Sequence, residues 1–122
     1  VQTLTPAEPL RRAMELTLQT TQADFPVVEN GRLVGFLTEK ELLIGLHQAG
    51  LDQPVGAFMR SDFPVIATGA FLFEAQEQMV RASVRALPVA DNGQLLGLLT
   101  AQDLNEAYRM LSISPTLALK PA

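Results

Sequence analysis

Cysteine is absent from this chain of 122 residues, and histidine occurs once. The first absence excludes disulfides, thiol catalysis and any cysteine-ligated zinc. The second leaves His47, beside Gln48 on the polar side of a helical stretch, without a second His or Cys to share a metal ion, so it reads as a solvated surface residue. Basic charge is also scarce: 9 Lys and Arg stand against 13 Asp and Glu, for a net charge of −4. A surface for nucleic acid polymer or anionic membrane needs a concentrated cationic excess, so neither partner is expected, although a single bound nucleotide needs far less. No run approaches the roughly 18 apolar residues of a bilayer span, and the N-terminus has neither a charged start nor a signal-type apolar stretch. The reading is of a soluble piece without membrane insertion of its own, in the cytoplasm or on the cytoplasmic face of a membrane protein. Ser61, Ser83, Ser112 and Ser114 have no nearby His or Lys to activate a hydroxyl, so the chain reads as no enzyme.

What the chain does contain is a repeat. Phe25 to Leu42 reads FPVVENGRLVGFLTEKEL and Leu87 to Leu104 reads LPVADNGQLLGLLTAQDL, with about half the positions identical and no gap. A unit that small cannot bury its own apolar face, and a chain of this length with 48% hydrophobic residues supports one core, so the copies should form one pseudo-twofold domain. Alignment of the copies places Phe63 over Val1, leaving Pro54 to Met59 without a counterpart. The chain then reads as a fragment whose first copy is truncated at its start.

Each copy has the same internal grammar. Thr5-Pro6-Ala7-Glu8 fits an N-cap Thr, a Pro at the first helical position and a closing Glu, predicting a helix to about Thr20 with Leu10, Ala13, Met14, Leu16 and Leu18 as its apolar set. The matching second helix begins after Thr68 and carries Phe71, Leu72, Ala75, Met79 and Val80. Asn30-Gly31 and Asn92-Gly93 supply the positive φ angles of type I′ turns between strands, predicting hairpins at Pro26 to Thr38 and Pro88 to Thr100. Gly35 and Gly97, inside those strands, mark a bulge or a close approach. Closing helices are predicted at Glu39 to Gln48, stopped by Gly50, and at Ala101 to about Leu111. Met59, Met79 and Met110 read as core filling. Residues 1–50 and 63–111 are thus the two copies, 51–62 a linker with a short helix, and 112–122 a tail.

Leu87-Pro88-Val89 with Gly97-Leu98-Leu99-Thr100-Ala101-Gln102-Asp103, and the poorer copy Phe25-Pro26-Val27 with Gly35-Phe36-Leu37-Thr38-Glu39-Lys40-Glu41, resemble a tandem CBS domain pair, or Bateman module. The resemblance covers nearly the whole chain and gains its weight from repetition in register. It implies an α/β (α+β) fold of two β-α-β-β-α repeats packed through small sheets, with ligand clefts between the copies. It further implies a regulatory module for an attached domain, and homodimerisation through helix faces. AMP, ADP, ATP or S-adenosylmethionine are the implied ligands, none of them covalently held. Parents of such modules include site-2-type membrane metalloproteases, toward which this reading leans, as well as transporters, channels and nucleotide-synthesis dehydrogenases. The rival reading is a ligand-free module that only sets oligomeric state.

In the family pattern the acid of Thr-x-x-Asp takes the ribose hydroxyls, the Thr approaches phosphate, and backbone near the first strand and the Pro-Val strand holds the base. Those roles fall on Asp103, on Thr100, on Ile66, Ala67 and Thr68, and on Ala86, Leu87 and Pro88. The chemistry agrees, since a carboxylate accepts from both vicinal hydroxyls and a helix N-terminus favours an anion; Arg85 would add a fixed cation. The same Thr-x-x-acid spacing also fits an ordinary capping box that binds nothing. Thr38, Lys40 and Glu41 form the weaker first site, with Glu41 in place of Asp and Ala23 where the second copy has Arg85. One competent site, in the second copy, is expected.

Overall fold

The computed structural model describes residues 1–113, and the chain divides into two units. The first comprises Val1–Phe63 with Asn92–Leu95, and the second Pro64–Asp91 with the chain from Leu96 onward. Helix and sheet are mixed, with two small antiparallel sheets of two strands each. Of the tail read as 112–122, residues 112 and 113 belong to the last helix, and residues 114–122 lie outside the described residues.

The first unit runs α1 (Leu10–Gln19), β1 (Phe25–Glu29), β2 (Arg32–Leu37) and α2 (Glu39–Gln48). Asn30 and Gly31 have φ of 52° and 79°, the left-handed pair that a type I′ hairpin demands. Antiparallel pairing starts at Phe25↔Leu37 and shifts register between Val27 and Val28, so the extra residue Val34 makes a bulge beside Gly35. There a Cβ on Gly35 would collide with the Met59 side chain, so this glycine serves both expected purposes. Helix α2 matches its predicted bounds, and Gly50, at φ 95°, follows its C-cap. Leu4, Leu10, Ala13, Leu16, Phe25, Val27, Leu37, Leu42 and Val55 form the core.

Helix α1 starts later than the Thr5 cap predicts. Glu8 does reach back to the Thr5 N–H (2.8 Å), but the helix begins at Leu10 with Pro9 as its N-cap. A helix begun at Pro6 would need the Pro9 N–H for its first bond to the Thr5 carbonyl, and proline has none. The freed amides of Leu10 and Arg11 instead donate to the carbonyls of Gln53 (2.8 Å) and Leu51 (3.0 Å). The segment read as a linker is thereby hydrogen-bonded into the first unit. It carries a 3₁₀ turn at Val55–Ala57, and Arg60 exchanges two bonds with Phe36 (2.8 and 3.0 Å). Leu18, two positions past Leu16 and so on the opposite side of α1, is 78% exposed rather than in the core.

The second unit contains α3 (Leu72–Ala82), β3 (Ala86–Asp91), β4 (Gln94–Thr100) from Leu96 onward, and α4 (Ala101–Ile113). Asn92 and Gly93 repeat the turn, with φ of 54° and 79°. The backbone shows the duplication directly. Leu4 makes a parallel bridge to β1, bonding Pro26 O and Val28 N (3.0 and 2.8 Å), and Ile66 does the same to β3 through Pro88 O and Ala90 N (both 3.0 Å). The core is built from Ile66, Ala75, Met79, Val84, Leu87 and Leu104. Val80, one residue past Met79 and a hundred degrees around the helix, is 74% exposed. Met110 is also exposed, at 59%, against its reading as core filling. Among the described residues Gly97 has no neighbour within 4 Å of a would-be Cβ, so no close approach explains it.

Candidate functional site

In the second unit, β4 ends at Thr100 and α4 begins at once, so the Thr-x-x-Asp motif sits on the strand-to-helix junction. The two side chains interlock: Asp103 Oδ2 accepts from the Thr100 N–H (2.9 Å) and Thr100 Oγ1 accepts from the Asp103 N–H (3.1 Å). This is a complete capping box. It leaves Asp103 Oδ1, exposed, and the Thr100 hydroxyl proton without a hydrogen bond among the described residues.

Of the other second-copy residues, Arg85 and Ala86 reach this junction at the start of β3, while Ile66 to Thr68 run beside β3 toward Asp91 at its turn end. The Ala101 N–H at the start of α4 donates to the Arg85 carbonyl (2.8 Å), which fixes the Arg85 backbone at the helix N-terminus. Its guanidinium is on an exposed residue and has no ion pair among the described residues. Ala86, Leu87 and Pro88 are buried, so they could offer a ligand only backbone. Ile66 is buried and spends its N–H and C=O on β3, while Ala67 and Thr68 are exposed. Thr68 is also gripped by Asp91, at the end of β3. Asp91 Oδ1 accepts from the Thr68 N–H (3.1 Å), and Asp91 Oδ2 accepts from the Thr68 hydroxyl. No local pattern in the sequence marks this pair, since its partners lie 23 positions apart.

The first copy is built differently. Thr38 is buried and makes no side-chain cap bond, and the Glu39 N–H is taken by Asp24 Oδ1 (3.0 Å). Glu41 does not close a box as its position suggests. Its Oε1 is buried without a hydrogen bond and lies 3.9 Å from Arg60 Nε. The longer side chain of Glu41 carries its carboxyl past the Thr38 amide to the connecting segment. Asp24 and Glu39 thus put negative charge at the α2 N-terminus while Glu41 is drawn to Arg60, and Lys40 is exposed. His47 is exposed, and the described residues hold no cluster able to bind a metal. None of the described helices is long and apolar enough to cross a membrane.

Comparison with known proteins agrees with the duplicated architecture. The CBS domain family profile matches residues 1–47 and 55–109. The chain is 29% identical over 106 residues to the CBS domain-containing protein YhcV of Bacillus subtilis, covering 85% of this chain and 76% of that one. It is 33% identical over 112 residues to inosine-5'-monophosphate dehydrogenase of Yersinia pestis, covering 88% of this chain but 22% of the enzyme. Against the first of these it thus spans about three quarters of the relative's length, and against the second about a fifth. The structure of CBSX2 in complex with AMP superposes with a TM-score of 0.79 at 24% identity, covering 92% of this chain and 90% of that one, a likeness of fold.

Proposed function

This chain belongs to the CBS domain family as a tandem pair, and from that premise we propose that it is a non-catalytic sensor whose second unit binds an adenine nucleotide or related adenosyl ligand and so regulates an attached domain. CBS pairs are found in regulatory contexts, among them inosine-5'-monophosphate dehydrogenase. The AMP in the CBSX2 complex supports the ligand class. The observation that carries the reading is the α4 N-terminus. There, among the described residues, Asp103 Oδ1 and the Thr100 hydroxyl proton are left without a hydrogen bond, and the exposed Arg85, without an ion pair, is joined to the helix start through its carbonyl on the Ala101 N–H. Asp103 Oδ1 suits a pair of ribose hydroxyls, and Thr100, Arg85 and the positive end of the helix suit a phosphate. Backbone at Ala86 and Leu87, at the junction end of β3, would hold the base, and the cytoplasm, where such nucleotides are plentiful, is the proposed compartment.

The test is calorimetric titration of AMP, ADP, ATP and S-adenosylmethionine into the wild type and Asp103→Ala. A wild type that binds at least one of them, with affinity falling at least tenfold in the variant, supports the reading. No heat with any of them, or equal affinity in both proteins, ends it. Because Asp103→Ala also removes half of the capping box, the titration belongs well below the variant's melting temperature.

A second reading, an interaction module, has an observation of its own. Phe73 and Val80, seven residues apart on one face of α3, are 55% and 74% exposed, and Tyr108 of α4 donates to Gln76 Oε1 (2.9 Å) between them. A homodimer formed over this face would be split by Val80→Glu, which sedimentation equilibrium would show as a fall to monomer mass. An unchanged mass would remove α3 from the interface.

A further inference from the structure

We propose that the outer edge of β4 is a docking site for an extended strand of a partner polypeptide, one that seats an unbranched apolar side chain over Gly97 and follows it with a basic residue. The first copy shows such a strand in place. Phe36 of β2 stands opposite Pro26, which has no N–H, and turns its own N–H and C=O outward to Arg60 (3.0 and 2.8 Å). Met59, the residue before Arg60, lies over Gly35 so closely that a Cβ there would overlap its side chain. The Arg60 side chain continues to Glu41, 3.9 Å away. One short segment thus covers a strand edge, fills the space over a glycine and meets an acid.

The second copy repeats the receiving surface without the strand. Leu98 holds the register position of Phe36 and Pro88 that of Pro26, yet β4 pairs only with β3, and Leu98 exchanges no backbone bond beyond that sheet among the described residues. Gly97 matches Gly35, with open space above it, and Asp103 matches Glu41, with Oδ1 free of hydrogen bonds among the described residues. Burial follows the same difference. Phe36 and Leu10 are fully buried, whereas their counterparts Leu98 and Leu72 are half-buried, and Leu96 is 53% exposed where Val34 is half-buried. Outward N–H and C=O groups beside uncovered apolar side chains are what strand addition uses. Charge selects the occupant: Asp103 stands where Glu41 answers Arg60, so a basic residue is matched there and an acidic one repelled. Size selects it further. A Cβ on Gly45 would lie 3.0 Å from Phe58 Cγ, and Ala107, in register with Gly45, carries that Cβ, so the residue before the seated one is smaller than phenylalanine.

The probe is the peptide of residues 54–61 carrying Phe58→Ala, titrated without nucleotide into the isotope-labelled full chain and followed by NMR. Saturable shifts centred on the Gly97 and Leu98 amides are expected. Affinity should fall about tenfold for Gly97→Ala, whose Cβ takes the seat of the peptide methionine, and about tenfold for a peptide N-methylated at its arginine, which cannot donate to the Leu98 carbonyl. The methylated peptide leaves the protein untouched, so its loss cannot come from unfolding. No saturation, equal affinity in all three titrations, or shifts centred on β2, where the peptide would be displacing the connecting segment, overturns the proposal. Two further outcomes give the edge to another occupant and overturn it likewise. A Leu117→Asp/Leu119→Asp chain that binds the peptide about tenfold more tightly assigns the edge to the chain's own tail, and a dimer that the peptide splits assigns it to a second copy.

Discussion

Gly35 and Gly97 hold the same place in the repeat and meet different surroundings. A Cβ at Gly35 would overlap the Met59 sulfur and lie 3.0 Å from Met59 Cγ, while at Gly97 it would meet nothing within 4 Å among the described residues. Overpacking a tight site costs about 1–3 kcal/mol. An alanine in place of a glycine whose conformation it tolerates stabilises by about 0.4–1 kcal/mol through the unfolded chain. Gly35→Ala should therefore lower the urea midpoint, and Gly97→Ala should leave it level or raise it. Equal losses at both positions would mean that Gly97 faces a neighbour beyond the described residues. From the sequence the two glycines were indistinguishable, because what separates them is Met59, contributed by a segment that the repeat does not duplicate. The same limit hid Asp91. Its partner Thr68 lies 23 positions away, and a bond between a strand end and a distant loop leaves no periodic trace.

At the scale of elements, local rules served well wherever the decisive contacts were local. The Asn-Gly turns and both hairpins follow from turn chemistry within a few residues, and α2 keeps its predicted bounds although its first amide is met by Asp24 and not by Thr38 or Glu41. Helix α1 starts later than predicted because Pro9 denies the Thr5 carbonyl its first helical bond, and the connecting segment is placed only by its long-range bonds to α1 and β2. The two Thr-x-x-acid junctions look alike on paper and are capped by different means, which gives a paired prediction. Valine keeps the shape of threonine and removes the hydroxyl. Thr100→Val forfeits the bond to the Asp103 N–H and should cost about 1 kcal/mol, the usual worth of an N-cap side chain. Thr38 makes no such bond, so Thr38→Val should cost less than Thr100→Val. Urea unfolding of the two variants checks the difference, and a larger loss at Thr38 would contradict the capping seen at α2.

For the molecule as a whole, the duplication suggests two equivalent sites and the charges argue for one. An anion approaching the α2 N-terminus meets Asp24 already on the Glu39 amide, with Glu39 and Glu41 in the first turn. At the α4 N-terminus the first turn holds Asp103 alone, and Arg85 is joined to it through the Ala101 amide. Like charge at the former cancels what the helix dipole offers, about 0.3–1 kcal/mol at an exposed end. Titration of AMP should then give one site per chain, and that site should vanish in Asp103→Ala while surviving in Glu41→Ala. At about 100 times its dissociation constant a ligand bound to the native state adds roughly 2.7 kcal/mol to stability, which a thermal melt registers in the wild type and should not register in Asp103→Ala. The signal passed to an attached domain can be no larger than the ligand's differential affinity for two states of this chain, so a single site sets a single coupling. Two equivalent sites by calorimetry would show that the acidic turn of α2 does not repel the ligand, and with it the asymmetry between the copies would lose its functional meaning.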